Sequence, residues 1–290
     1  MQSKIYNLLI SCFEDNIGDK IPSIDLQLFL ISAKSLIPYE DKVGCFIDTE
    51  RYKKELELFK LYKNGEDEVI DNYFIGNRRS AKEDNLLESK IIPVIITNTI
   101  WDILINEVLK AASLYSINKS TLLDAIILSS VIDVYLSNNN ADYEMINDIT
   151  KERIIDFSLK EFTEKNNIAI EKTNFIEFEK ERIRLLINDI LSDRIKCYKS
   201  INYILHKSIK PAVNENESVL NSFSAYLYKL RKGIISPDKL KLSQANMPEF
   251  KELLKYSSFA HPLLGKCKVV KRDDNAIIIR SKSGLIKVNI

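Results

Sequence analysis

Few side chains in this sequence could do chemistry unaided. Cys12, Cys45, Cys197 and Cys267 are scattered, with no Cys-x-x-Cys pair. Reduced, buried thiols are expected rather than a structural zinc site. His206 and His261 have no Cys, Ser or Asp placed beside them as a catalytic partner, and read as a helix-end and a domain-junction histidine. Trp101 lies on an apolar face and reads as core. What remains are polar groups at helix starts. Ser23 is a plausible N-cap, with Asp25 a first-turn carboxylate favoured by the helix macrodipole. Asn85 could cap a helix. Glu215, Glu217 and Ser218 read as a solvated loop running into a first turn. A last group is cationic: Lys266, Lys268, Lys271, Arg272, Arg280, Lys282 and Lys287 face only Asp273 and Asp274. That local charge of about +5 suits an acidic partner or a solvated face.

The elements that must position these groups centre on Ile91 to Leu136. Ile100, Trp101, Leu104, Ile105, Val108, Leu109 and Ala112 recur at helical spacing, as do Leu122, Leu123, Ile126, Ile127, Val131, Val134 and Tyr135. Two apolar helices meeting at a polar break, Ser116 to Ser120, are predicted as the centre of the core. Before them, the pattern predicts a helix ending near Phe13, one carrying Leu26, Leu30, Ala33, Leu36 and Ile37 on one face, one from Thr49 to Tyr62 with Thr49 as N-cap, and a short one over 66–74. Charged helices follow over 143–165, 174–192 and 193–206, then one over 219–230. Past His261-Pro262 the pattern turns β-branched and alternating, predicting three strands over 266–271, 276–280 and 285–290. The expected fold is mainly all-α, with a helical domain over 1–257 and a small basic β appendage over 258–290.

Composition narrows the class. Hydrophobic residues make up 45% and charged residues 29%, as in ordinary globular proteins. Seven glycines and seven prolines are too few for a loop-rich fold. A net charge of +1 makes no case for nucleic acid or an anionic membrane surface. The opening residues lack a secretory pattern, and the most apolar window, Ile91 to Ile105, is interrupted by Asn98 and Asp102. A cytoplasmic location with no membrane contact is the expectation.

The order of features resembles the ADP-ribosylglycohydrolase (dinitrogenase reductase-activating glycohydrolase) family. YNLLISCFEDNIGDKIP, with Gly18-Asp19, is similar to that family's opening helix and Gly-Asp-x-x-Gly turn. Ser23-Ile24-Asp25-Leu26-Gln27-Leu28 stands where the family has Thr-Asp-Asp-Thr-Gln-Met. NLLESKIIP, residues 85–93, is placed like its Asn-Gly-x-x-Met-Arg-x-x-Pro, and Ala212-Val213-Asn214 like the Ala-Val-Asn before its Gly-Gly-Asp-x-Asp-Thr metal loop. The resemblance covers about residues 1–240. It implies an all-α bundle with a dinuclear Mg²⁺ site in a central cleft that removes ADP-ribose from modified side chains.

Several positions depart from the family pattern. Ile24 replaces a carboxylate, Glu215-Asn216-Glu217-Ser218 replaces the glycine-bearing loop, and Tyr115-Ser116-Ile117-Asn118 replaces a Thr-His-x-His segment. Lys90 stands where the family has Arg and Leu86 where it has Gly. The resemblance therefore implies a ligand cleft near Ser23, Asp25, Asn85, Glu215, Glu217 and Ser218, in a non-catalytic or weakly active binder of ADP-ribose-type ligands, an ADP-ribosylated protein or another protein partner. An active hydrolase with Asp25, Glu215 and Glu217 as substituted Mg²⁺ ligands is the alternative, and an interaction module acting through the basic β appendage a further one. Nucleic acid is not the expected partner.

Overall fold

The computed structural model describes residues 1–13, 20–76, 79–206, 218–240 and 249–289. It is mainly helical with a small C-terminal antiparallel sheet. In chain order come α1 (Gln2–Cys12), α2 (Ile24–Lys34), strands β1 (Leu36–Pro38) and β2 (Cys45–Ile47), α3 (Thr49–Phe59), α4 (Glu68–Gly76), α5 (Leu87–Thr97), α6 (Trp101–Ser113) and α7 (Lys119–Ser137). Then follow α8 (Tyr143–Asp156), α9 (Leu159–Lys165), α10 (Lys172–Ile187), α11 (Arg194–Cys197), α12 (Lys199–His206), α13 (Val219–Arg231) and α14 (Phe250–Leu253). The chain ends in β3 (Ser258–His261), β4 (Gly265–Asp273), β5 (Ala276–Ser281) and β6 (Gly284–Asn289).

The centre holds three helices where the sequence predicted two. Asn98 separates α5 from α6, and its side chain explains the break. Its Oδ1 accepts from Cys45 N at 3.0 Å, and its Nδ2 donates to Cys45 O at 3.0 Å and Val94 O at 2.8 Å. An amide already bonded three ways to backbone can sit in a core that would otherwise reject it. Beside it, Gly44 has φ +131°, and an added Cβ would lie 2.5 Å from Asn98 Oδ1. A glycine is required there on both counts. Helix α7 is buried nearly all round; it is long and apolar enough to cross a membrane, but 83% of its apolar window is buried within the bundle. Helices α1, α2, α8, α10, α12 and α13 close the core around α5 to α7.

Three boundaries move for local reasons. Leu36 and Ile37 do not extend α2; they pair as β1 with Cys45–Ile47. Pro38 cannot donate a helical hydrogen bond and biases the residue before it toward extended backbone. Helix α3 is capped by Asp48 rather than Thr49, its Oδ1 accepting from Glu50 N and Arg51 N. The charged stretch over 143–165 breaks at Phe157, where Ser158 caps α9 by accepting from Glu161 N.

The sheet has four strands, not three, in the order β3-β4-β5-β6, all antiparallel. The added strand, β3, has an exposed, part-buried, exposed, buried pattern too short to stand out in sequence. The inner face, with Cys267, Ile277, Ile279, Ile286 and Val288, shares one buried cluster with Leu28, Ile31, Leu56, Phe59, Ile70 and Tyr115 of the helical body. Each such side chain contributes about 1.5–3 kcal/mol on burial, so the sheet is anchored by its apolar face.

Candidate functional site

At the start of the 85–93 segment, where the resemblance expects a ligand-facing motif, the chain folds into a closed ion-pair network with the residue just before it. Asp84 precedes α5 and accepts from Leu86 N at 3.0 Å. Six residues on, Lys90 Nζ donates to both Asp84 oxygens at 2.7 Å, and both side chains are fully buried. The same ammonium lies 4.2 Å from the centroid of the Tyr115 ring. Tyr115 Oη donates to Tyr52 Oη at 2.7 Å. Burial pushes the Tyr52 phenol up to about 12, and burial followed by the neighbouring Tyr52 pushes Tyr115 well above its ordinary value. Both rings therefore stay neutral at physiological pH.

Tyr115-Ser116-Ile117-Asn118, where the resemblance sets a His-bearing segment, is bonded to backbone. Ser80 N donates to Tyr115 O at 2.7 Å, Ser116 Oγ donates to Lys82 O at 2.7 Å, and Asn118 Nδ2 donates to Ala81 O at 2.8 Å. Thr121 Oγ1 accepts from Asp84 N at 3.0 Å. The carboxylate, the ammonium and both phenols already have partners. Such a network holds α5, α6 and α7 in register.

The other expected residues are spread over capping positions. Ser23 is the exposed N-cap of α2, accepting from Leu26 N at 3.4 Å. Asp25 is half-buried in the first turn of α2. Ile24, in place of a carboxylate, packs against the cluster shared with the sheet. Asn85 is exposed in the turn before α5. Ser218 is buried as the N-cap of α13 and accepts from Asn221 N at 3.0 Å. Glu215 and Glu217 lie outside the described residues, as do Gly18-Asp19 and Ala212-Val213-Asn214. Among the described residues, no group of three or more His, Cys, Asp or Glu side chains forms a metal site. With Ser23 used as a cap and Ile24 apolar, the described residues do not fit a dinuclear Mg²⁺ set.

Two further carboxylates, the buried Asp124 and the half-buried Glu88, escape a motif search. Asp124 of α7 accepts from Arg194 Nε at 3.0 Å and Tyr198 Oη at 2.8 Å, yet burial outweighs these partners and raises its pKa. Glu88 receives Ser200 N at 2.8 Å and Lys199 N at 3.3 Å, which fastens the start of α12 to α5. Burial raises its pKa as well. Their one sequence signal is a carboxylate inside an apolar helix. Trp101, expected in the core, is half-buried at a groove of about 470 Å³ between α6, α8 and α9. Arg153 covers its ring at 3.7 Å and is itself held by Asp133 at 2.7 Å.

The cations of the sheet are arranged differently. Lys266, Lys268, Lys271, Arg272, Arg280, Lys282 and Lys287 are all exposed. Alternation with the buried Cys267, Ile277, Ile279, Ile286 and Val288 places Lys266, Lys268, Arg280 and Lys287 on the outer face. Lys268 and Arg280 stand directly opposite each other, and Lys271 and Lys287 flank Ile278 in one cross-strand row. Lys271 is paired with Asp273 at 2.8 Å, and Arg272 donates to Tyr256 O at 3.1 Å. His261, which closes β3, is buried and accepts from Leu263 N through Nδ1 at 3.2 Å. Burial, and after it the charge of Lys34, pushes its pKa down. Comparison with known protein families, characterised proteins and solved structures returns no match for this chain.

Proposed function

We propose that this chain is a non-catalytic interaction protein on an ADP-ribosylglycohydrolase-like helical scaffold, and that it docks an acidic protein surface on the outer face of its C-terminal sheet. One observation carries the first half. Lys90 and Tyr115, from two segments the resemblance matches to family motifs, are tied to Asp84 and Tyr52 in one closed network. Groups saturated by one another support a structural role, in which neither Mg²⁺ nor an ADP-ribose-type ligand is needed.

The second half rests on cations gathered on one exposed face. Lys266, Lys268 and Lys287 all stand exposed on the outer side of the sheet. An acidic partner would be drawn to that face. A protein surface is favoured over nucleic acid because Ile278, partly buried, sits between Lys271 and Lys287 and offers apolar contact at the centre of the cations.

The test is titration of polyglutamate and of a mixed-sequence RNA into the protein at rising salt. The expected result is salt-sensitive binding of polyglutamate that is lost in Lys268→Glu/Arg280→Glu. Absence of polyglutamate binding at low salt, or tighter binding of RNA, contradicts the reading.

A further inference from the structure

Helix α10 buries one face and leaves an apolar stripe on the other. Phe178 and Leu185 are inside, while Ile176, Ile183 and Ile187 are 56%, 56% and 79% exposed. The three are seven and four residues apart, which at about 100° per residue puts them within about 40° of one another. With Lys180 the stripe reads Ile176, Lys180, Ile183, Ile187, the four-three-four spacing of a coiled-coil seam. Among the described residues, nothing covers it.

The flanking charges identify the occupant. Glu177 and Arg184 lie on the same side of the stripe, toward its opposite ends. A two-fold axis that sets α10 against α10 in antiparallel places Ile176 against the second copy's Ile187 and Lys180 against its Ile183. It also brings Glu177 beside the second copy's Arg184, twice by symmetry. Arg184 keeps 69% of its side chain exposed while paired with Glu181 of its own helix at 2.5 Å. Glu177 keeps 46% exposure while bonded to Lys119 at 2.6 Å. An anionic lipid surface fits less well, because Glu177 and Glu179 border the isoleucines.

We propose that the outer stripe of α10 is the interface of a homodimer, formed by antiparallel pairing with a second copy of this chain. It goes beyond the proposed docking role and does not depend on it. The interface is self-complementary, as two-fold symmetry requires. Three isoleucines per copy make a small contact, so the dimer is concentration-dependent.

The test is sedimentation equilibrium of the full chain over a hundredfold range of concentration, with far-ultraviolet circular dichroism to confirm folding. The expected result is a reversible approach to twice the chain mass. Ile183→Glu sits on the surface, leaves the fold intact, and weakens the dimer by about a hundredfold or more, since it removes two central anchors at once. Glu177→Lys and Arg184→Glu each weaken it, and the double variant, which restores opposite charges across the axis, recovers it. A monomer at every concentration, a dimer indifferent to Ile183→Glu, or single and double charge variants weakened alike would each overturn the proposal. So would a monomer that co-sediments with phosphatidylserine vesicles through the same isoleucines.

Discussion

Asp84 and Lys90 are fully buried in the helical body and satisfy each other at 2.7 Å, whereas on the C-terminal sheet Lys268 and Arg280 face each other across two strands as like charges. The first pair exists only because the surrounding helices exclude water, and removing either partner strands the other in a medium that cannot solvate it. The second pair is tolerated because water screens it. Charge inside this molecule is architecture; charge on the sheet is surface chemistry. The proposed docking face therefore lies on the C-terminal sheet, although the more elaborate polar network lies in the bundle.

The largest expected effect breaks the inner pair. Lys90→Met leaves the Asp84 carboxylate buried and unpaired, and should lower unfolding free energy by about 3–5 kcal/mol, read by urea denaturation. Lys90→Met with Asp84→Asn should recover much of that loss, because no charge is then left uncompensated. Equal losses in the single and double variants would show that shape rather than charge matters there.

Gly44→Ala comes next. It places a methyl group against Asn98 Oδ1 in a backbone conformation with φ +131°. A loss of about 1–3 kcal/mol is expected, again by urea denaturation. A neutral result would mean that the Asn98 side chain can move without cost.

A smaller effect belongs to the base of the sheet. The pKa of His261 is lowered by burial below its ordinary 6.5. As pH falls through that value the unfolded chain takes up a proton that the folded chain refuses. The stability His261 contributes is therefore present above about pH 6.5 and declines below it. Thermal unfolding of wild type and His261→Gln between pH 7.5 and about 5 should show a steeper fall for wild type. Parallel slopes would mean that His261 opens to solvent without disturbing the sheet.

The smallest effect sharpens the outer side of the comparison. Lys268→Glu replaces a like-charge pair with an opposite one and should gain about 0.2–1 kcal/mol at low salt while weakening polyglutamate binding. A loss of stability would show that the outer face already has an intramolecular use.

Much of this architecture was legible in the sequence, for identifiable reasons. Helical periodicity located α6 and α7, because apolar residues repeat every three to four positions on long segments. The β-branched alternation past residue 265 located β4 to β6. What escaped was long-range. Nothing local announces that Asn98 bonds to Cys45, 53 residues away, or that Tyr115 reaches Tyr52 across 63. Lys90 was visible in the segment resembling a family motif, but its partner Asp84 stands one residue before that segment. Of the expected site, Ser23 and Ser218 turned out to be helix caps, the reading that residue type alone had offered for Ser23. The stripe on α10 was hidden for the opposite reason: its pattern is that of a helix with two apolar faces, and only the fold reveals which one is left outside.

The central claim is that the Asp84–Lys90 end of the bundle is structural and does not support Mg²⁺-dependent hydrolysis. The most direct measurement is release of ADP-ribose from a mono-ADP-ribosylated protein by the full chain, with Mg²⁺ and with chelator. The account predicts equal release in both conditions, at the rate without protein. Mg²⁺-dependent release that is lost in Asp25→Asn would contradict it and place a working site at the start of α2.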